Sequence, residues 1–98
     1  METKHEKKIR AAIYRRVSTD EQAREGYGLV YQEDKLKAFA LSQDYILNPQ
    51  HMYVDEGYSG SLPISERPGL NQLFAAAEKK EFDVVLVYRL DRFFRKTR

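Results

Sequence analysis

The sequence predicts an α/β fold built on a parallel sheet with helical crossovers. Three short apolar segments have strand-like patterns, and they alternate with two segments whose apolar residues recur at helical spacing. The resulting β-α-β-α-β order joins the strands in parallel, because each helical crossover returns the chain to the same end of the sheet. The sequence therefore predicts a layered α/β architecture with helices packed on the sheet.

The first strand and the first helix are predicted from apolar periodicity. Alternation of apolar with more polar side chains indicates a strand over residues 9–17. Its apolar residues are Ile9, Ala11, Ile13 and Val17. After a polar, glycine-containing stretch, apolar residues at helical spacing predict a helix near residues 28–43. These are Leu29, Leu36, Phe39 and Ala40. The segment LNPQ then predicts a break, because proline disfavours a helical conformation at the preceding Asn48.

The second half of the chain contains the remaining elements. The segment HMYVDE predicts a strand near residues 51–55, and a long loop, GYSGSLPISERPG, follows it. Pro68 suits the first turn of a helix, where its missing N–H costs nothing, so a helix is predicted near residues 68–80. The run DVVLV predicts a third strand near residues 83–88. Its near-continuous β-branched composition is typical of a strand buried on both faces.

Length and composition exclude several classes of protein. The 98 residues suffice for one small domain but not for two independent cores. No apolar stretch approaches the ~20 residues that a membrane-spanning helix needs. The charged start METKHEKKIR lacks the apolar segment of a signal peptide, so residues 1–8 are interpreted as a charged tail. The chain has no cysteine, which excludes disulfides and thiolate metal sites and fits a cytoplasmic location.

The charge is distributed unevenly along the chain. The total of +2 is too small to identify a partner, but residues 1–10 and 89–98 carry +2 and +4 around a central part of −4. The basic end has two interpretations. It is either a solvated tail or an anion site built near Arg89, Arg92 and Arg95.

Polar side chains follow all three predicted strands. Ser18 comes after the first strand, Asp55 ends the second, and Asp91 with Arg92 lies just past the third. Because the carboxyl ends of parallel strands share one edge, where open α/β folds bind their ligands, these residues are expected to converge. Arg16 lies two positions before Ser18, so both side chains point to the same face of the sheet.

A serine surrounded by arginines indicates phosphodiester chemistry. Arg92 and Arg95 lie on one face if a helical turn begins there, with Asp91 beside them. The planar guanidinium stays charged and suits phosphate oxygens, so such arginines can stabilise charge that develops when Ser18 attacks phosphorus. The alternatives are a structural serine at a strand end and an exposed basic helix start.

Other catalytic designs find less support in the sequence. His5 and His51 have no obvious relation to Ser18, which argues against a Ser-His-Asp triad. No glycine-rich phosphate loop with a lysine is present. The acidic residues also lack the neighbouring histidine or cysteine ligands of a zinc site. A two-magnesium phosphotransferase built from these acids stays open. The acids concerned are Asp20, Asp55, Glu56 and Asp91.

The motifs YRRVSTDEQ, DEGYSG, RPGL and LDRFFR, in this order and spacing, resemble the catalytic domain of the serine recombinases, the resolvase/invertase family. The resemblance runs from about Ile9 to Arg95. The stretch AREGYGLVY, which separates Gln22 from Gln32, is more similar to the large serine recombinases of phages and transposons. The resemblance implies a three-layer resolvase-like catalytic domain over residues 9–98.

The resemblance also implies an activity, site-specific DNA recombination. Ser18 matches the nucleophile that attacks the DNA phosphate, forms a 5′-phosphoserine link and leaves a free 3′-OH. Arg16, Arg67, Arg92 and Arg95 match phosphate-binding arginines, Asp91 their acidic partner, and Gln22 and Gln32 polar residues flanking the site. The implied partner is double-stranded DNA, with a homodimer or tetramer for a full-length protein. No metal or nucleotide cofactor and no membrane are implied.

The chain departs from the family pattern at one position, and two alternatives to the implied activity stay open. Arg15 stands where the family usually has a small residue, and its side chain is expected to point away from Arg16. Ser59 in GYSG is a competing candidate for the nucleophile. A non-catalytic α/β module that binds phosphate or protein partners through the same edge is the second function hypothesis.

Family members continue beyond the position of Arg98 with the rest of the catalytic domain, a dimerising helix and a DNA-binding region. Residues 9–98 are therefore expected to be the N-terminal part of a catalytic domain, and residues 1–98 alone are expected not to recombine DNA. An incompletely covered DVVLV strand is also expected to favour self-association. A supercoiled two-site plasmid assay and light scattering measure these properties. Efficient recombination by the 98-residue chain would contradict the first expectation.

Overall fold

The sheet is parallel and has its first strand in the middle. The structure is a computed structural model that describes residues 8–19, 28–59 and 61–88. In chain order the elements are β1 (Arg10–Val17), α1 (Leu29–Ser42), β2 (Ile46–Glu56), a 3-10 turn (Ile64–Glu66), α2 (Pro68–Glu78) and β3 (Val84–Val87). β1 pairs in parallel with both other strands, so the strand order is β2-β1-β3. The predicted fold class is confirmed.

The two helices cover opposite faces of β1. Ala12 and Tyr14 pack in a buried cluster with Leu70 of α2. On the opposite face, Nη1 of Arg15 lies 3.0 Å from Oε1 of Glu33 on α1. Side chains alternate between the faces of a strand, so this division follows directly from residue order along β1. The result is three layers, α1, sheet and α2, and the side chain of Arg15 points away from that of Arg16 as expected.

β2 is longer than the sequence predicts. The segment LNPQ, expected to be a break before the strand, lies inside it. The strand begins at Ile46, and its pairing with β1 is irregular between Ala11 and Ile13. The side chain of Asn48 accepts a hydrogen bond of 2.9 Å from the backbone N–H of Gln50, so a local turn holds the extra residues. Pro49 is tolerated because β2 is an edge strand of the described sheet and needs no ladder donor there.

β3 also differs from the prediction. It was predicted as a strand buried on both faces, but Val84–Val87 are each half-buried. Val85 and Val87 pack against the cluster beneath α2, whereas Leu86 lines a groove beside α1. Within the described residues β3 pairs with β1 along one edge only. The apolar run identified a strand correctly, but composition does not reveal how far the described residues cover that strand.

The two helices begin and end within two residues of their predicted positions. Neither is long and apolar enough to cross a membrane, in a search restricted to the described part of the chain. α1 begins after Gly28, which contributes no side-chain cap to the helix. α2 has Pro68 in its first turn, as predicted.

α2 begins in direct contact with the backbone of β2. A Cβ atom added to Gly69 would overlap the carbonyl oxygen of Val54 and lie 2.8 Å from its carbonyl carbon. It would also lie 3.0 Å from Oδ1 of Asp55. Only glycine leaves room for so close an approach of helix to strand. The glycine of the RPGL motif therefore fixes how near α2 lies to the sheet.

We expect Gly69→Ala to destabilise the domain by about 1–3 kcal/mol, because the new methyl group forces α2 away from β2. Urea denaturation followed by circular dichroism measures this loss. Gly28→Ala is the matched control, since a Cβ at that position meets nothing within 4 Å. Its effect should stay below about 1 kcal/mol. Equal losses of stability in the two variants would contradict the close-packing explanation.

Candidate active site

The end of β1 and the loop after β2 lie side by side at the carboxyl edge of the sheet. The backbone N–H of Gly57 donates a 2.7 Å hydrogen bond to the carbonyl oxygen of Val17. Gly57 has a φ of 86°, a left-handed conformation that favours glycine. A Cβ on Gly57 would lie 3.9 Å from Oγ1 of Thr19. The half-buried Ser18, between Val17 and Thr19, therefore lies beside the DEGYSG loop.

Arg16 is held by groups from two other elements. Its side chain is buried, and Nη1 donates a 2.8 Å hydrogen bond to the carbonyl oxygen of Tyr58. The side-chain amide of Gln32 on α1 donates a 3.1 Å hydrogen bond to the Arg16 carbonyl oxygen and accepts a 3.4 Å bond from the Arg16 N–H. Burying a guanidinium is costly unless it is hydrogen-bonded, so these contacts help to keep Arg16 inside the domain.

Arg67, Tyr14 and Asp55 form a buried hydrogen-bonded chain. Nη2 of Arg67 donates to the Tyr14 hydroxyl at 2.9 Å, and that hydroxyl donates to Oδ2 of Asp55 at 2.7 Å. The guanidinium of Arg67 also lies 5.6 Å from the centroid of the Tyr14 ring, within the range of a cation–π contact. Arg67 and Asp55 are 0% and 1% exposed, respectively, so these hydrogen bonds are shielded from solvent.

The Asp55 carboxylate also caps α2. It accepts hydrogen bonds from the backbone N–H groups of Gly69, at 2.6 Å, and Leu70, at 2.9 Å. A carboxylate in this position satisfies helix donors that lack partners within the helix, and it is favoured by the positive end of the helix dipole. Asp55 thereby joins β2 to α2 and, through Tyr14, to β1.

The environment of Tyr14 keeps its hydroxyl protonated. Burial raises the pKa of Tyr14 most, and the hydrogen bond to Asp55 raises it further, while the hydrogen bond from Arg67 opposes the rise. The phenol is therefore a neutral donor at physiological pH. It donates a hydrogen bond to Asp55 and accepts one from Arg67.

Four of the eight predicted site residues lie in the described part of the chain. These are Arg16, Ser18, Gln32 and Arg67. The structure brings Gln32 into contact with Arg16. Ser18 lies two residues after Arg16, just beyond the end of β1. Arg67 contacts Tyr14. The other four, Gln22, Asp91, Arg92 and Arg95, lie outside the described residues, as does Asp20.

The competing nucleophile Ser59 belongs to a local turn. Its hydroxyl lies 2.9 Å from the Ser61 hydroxyl and accepts a 3.1 Å hydrogen bond from the Ser61 N–H. The carbonyl oxygen of Ser59 accepts a further bond from the N–H of Leu62. Such bonds are typical of a serine that shapes a loop.

The alternative magnesium site loses one ligand candidate. The Asp55 carboxylate already accepts bonds from Tyr14, Gly69 and Leu70. Among the residues with described positions, no group of three or more acidic or histidine side chains is arranged to hold a metal ion. Asp20 and Asp91 fall outside this search.

Comparison with known proteins now identifies the family. Residues 11–98 match the family described as "Resolvase, N terminal domain". The chain belongs to this resolvase family. The membership inferred from the four motifs is thus confirmed, and the match extends over the edge that carries Arg16 and Ser18.

Relatives of this resolvase-family chain include proteins from Bacillus and its phages. It is 41% identical over 85 residues to a "Putative DNA recombinase" of Bacillus subtilis (strain 168), with 87% of this chain covered. It is 51% identical over 47 residues, 48% of this chain, to the "Uncharacterized immunity region protein 3" of Bacillus phage phi105. The crystal structure of the N-terminal catalytic domain of TP901-1 integrase matches 89% of this chain with a TM-score of 0.77 and 41% identity.

This chain spans less than two thirds of the length of each of these relatives. The matches cover 16% of the B. subtilis protein, 61% of the TP901-1 integrase domain and 55% of the phi105 protein. Because its 47 matched residues make up more than half of the phi105 protein, that resolvase-related protein is itself a short chain.

Sequence reasoning missed the linking role of Tyr14 and Asp55. Asp55 was noted as an acid at a strand end, and Tyr14 was not singled out. One signal was available, because Tyr14, Arg16 and Ser18 alternate along one strand and so share a face. The contact of Tyr14 with Asp55 depends on the pairing of β1 with β2, which places Tyr14 opposite Tyr53.

We expect Tyr14→Phe to destabilise the domain by about 1–3 kcal/mol, because Arg67 loses an acceptor and Asp55 loses a donor inside the protein. Urea denaturation measures the difference. Tyr45→Phe is the control, since Tyr45 is only half-buried and lies outside this network. Equal stability of Tyr14→Phe and Tyr45→Phe would show that the buried chain contributes nothing to folding.

Proposed function

We propose that this chain is the N-terminal part of the catalytic domain of a site-specific DNA recombinase, with Ser18 as its nucleophile. The observation that carries the proposal is the position of Ser18 at the carboxyl end of β1, two residues after the buried Arg16, in a chain of the resolvase family. Strand-end loops of parallel sheets are where ligands bind in open α/β folds. The TP901-1 integrase domain, named as catalytic, has the same fold.

The proposed reaction is a transfer of the DNA phosphodiester to Ser18. The serine Oγ forms a bond to phosphorus as the bond to the 3′ oxygen breaks, which leaves a 5′-phosphoserine link and a 3′-OH. The proton lost by the serine is matched by the proton gained by the leaving oxygen. Attack by a 3′-OH reverses the step and rejoins the strand. The covalent link conserves the phosphodiester, so the reaction needs no energy-supplying cofactor.

In this proposal the arginines stabilise charge on the phosphate oxygens. Arg16 precedes Ser18 by two residues and is the nearest arginine to it in sequence among those described. Its guanidinium bonds the Tyr58 carbonyl oxygen, so phosphate binding would replace that neutral acceptor with an anionic one. Arg67, Arg92, Arg95 and Asp91 are proposed to complete the anion site, with Gln22 and Gln32 flanking it. The burial of Arg16 and Arg67 means that this edge must open before a phosphate reaches them.

The proposed partner is double-stranded DNA, with a homodimer or tetramer for any longer protein that contains this domain. A second function is favoured by one observation, the similarity to the short phi105 immunity region protein. A chain of this size would then act as a non-catalytic module that binds phosphate or a protein partner through the same edge. The two functions differ in one measurable product, a covalent link between Ser18 and DNA.

The test uses a chimera in which this chain replaces the matched segment of the TP901-1 integrase. Incubation with the integrase's DNA sites should yield protein-linked DNA, and mass spectrometry should locate the phosphate on Ser18. Ser18→Ala should abolish the adduct while DNA binding survives. Arg16→Ala should slow its formation by about 10²–10³, the usual effect of removing one charge-stabilising donor. Arg16→Lys should restore little, because a point charge does not reproduce a two-pronged contact.

Ser59→Ala is the matched control and should leave adduct formation unchanged. A phosphate located on Ser59, or full activity of Ser18→Ala, would overturn the assignment of the nucleophile. DNA binding by the 98-residue chain together with a chimera that never forms an adduct would favour the non-catalytic module.

A further inference from the structure

The backbone groups of Arg16 face the β3 side of β1, and a side chain from α1 bonds them. β3 pairs with β1 from Ala11 to Tyr14, where Tyr14 lies opposite Val87. The carbonyl oxygen of Arg10 accepts a bond from the N–H of Asp83, so even-numbered residues of β1 direct their backbone groups toward β3. Arg16 therefore directs its N–H and C=O to the same side, two residues beyond the last pair between β1 and β3 in the described part of the chain.

The side chain of Gln32 bonds both backbone groups of Arg16. Its Nε2 donates to the carbonyl oxygen of Arg16 at 3.1 Å, and its Oε1 accepts from the N–H of Arg16 at 3.4 Å. A glutamine amide offers the same donor and acceptor as a peptide group, so it can substitute for a neighbouring strand. Gln32 is 0% exposed, and α1 fixes its position above the sheet.

We infer that Gln32 is a positioning residue for the proposed nucleophile, and that it acts through the backbone of Arg16. This inference rests on the proposed function. The amide of Gln32 fixes the main chain at Arg16, and Tyr58 fixes the guanidinium of the same residue. Ser18 follows two residues later, at the end of the strand. Holding this segment therefore holds both the attacking hydroxyl and the nearest described arginine in a defined arrangement.

A substitution distinguishes this role from general packing. The carboxyl group introduced by Gln32→Glu has one donor and one acceptor when neutral, like the amide, but only acceptors when ionised. Ionisation would place its negative oxygens against the Arg16 carbonyl. Among the residues that the structure describes, the nearby charged groups are Arg16 and Arg15 from β1, and Glu33 from α1, which is paired with Arg15. The variant should therefore behave like wild type at low pH, and as pH rises it should lose the donor to the Arg16 carbonyl oxygen and be repelled by that oxygen.

The first measurement is amide hydrogen exchange in the 98-residue chain. Gln32→Ala should speed exchange of the Arg16 N–H by about 5- to 30-fold relative to wild type, the effect expected from losing one such bond. Gln32→Glu keeps an acceptor for this N–H in both ionisation states, so the amide should stay better protected than in Gln32→Ala. Gln72→Glu, an exposed glutamine on α2, is the matched control for the added charge. Unchanged exchange at Arg16 in Gln32→Ala would overturn the inference.

The second measurement is the rate of adduct formation on Ser18 in the TP901-1 chimera. Gln32→Ala should slow it by about 10²-fold, as a small misplacement of reacting groups does. Gln32→Glu should approach the wild-type rate at low pH and fall toward the Gln32→Ala rate as pH rises, while Gln72→Glu keeps the wild-type profile. A rate for Gln32→Ala equal to wild type, or a wild-type pH profile for Gln32→Glu, would overturn the inference. An unsubstituted chimera that forms no adduct would instead overturn the proposed function, and the exchange data would still decide whether the contact exists.

Discussion

The carboxyl edge of the sheet depends on the hydrogen bonds that the Asp55 carboxylate accepts. Asp55 ends β2, caps the first turn of α2 through Gly69 and Leu70, and accepts the Tyr14 hydroxyl from β1. Three elements therefore meet at one buried anion. Removing the acceptor would leave helix donors and a phenol unsatisfied at once, and such groups are costly inside a protein. The close approach permitted by Gly69 brings the helix donors within reach of this carboxylate.

The candidate site and the core of the domain share residues. Arg67 belongs to the RPGL motif, yet its guanidinium contacts Tyr14, whose ring packs with Leu70 in the cluster beneath α2. Arg16 belongs to the strand that forms the centre of the sheet. Rigid strands position side chains more precisely than loops do, which suits the role proposed for Arg16 beside Ser18. A consequence is that substitutions at these positions affect folding as well as chemistry.

The sequence sufficed for the order and direction of the elements because their periodicities are strong and the crossovers are helical. It also placed Arg16 and Ser18 on one face, since alternation along a strand needs no knowledge of the rest of the fold. The sequence did not predict features that depend on strand pairing. One of them is the start of β2 at Ile46, where the pairing of β2 with β1 has an irregular register. The contact of Gln32 with the backbone of Arg16 was beyond sequence reasoning for a related reason, because it depends on how α1 packs on β1.

The charge balance of this edge favours an anionic ligand. Among the side chains that the structure describes, the buried formal charges are the cations Arg16 and Arg67 and the anion Asp55. Asp55 is shared by two helix N–H groups and Tyr14, so its charge also offsets the helix dipole. The Tyr58 carbonyl that Arg16 bonds is neutral, and hydrogen bonds between two ionised groups are roughly twice as strong as neutral ones. In the proposed reaction, an incoming phosphate oxygen would therefore be a stronger acceptor for Arg16 than the Tyr58 carbonyl oxygen.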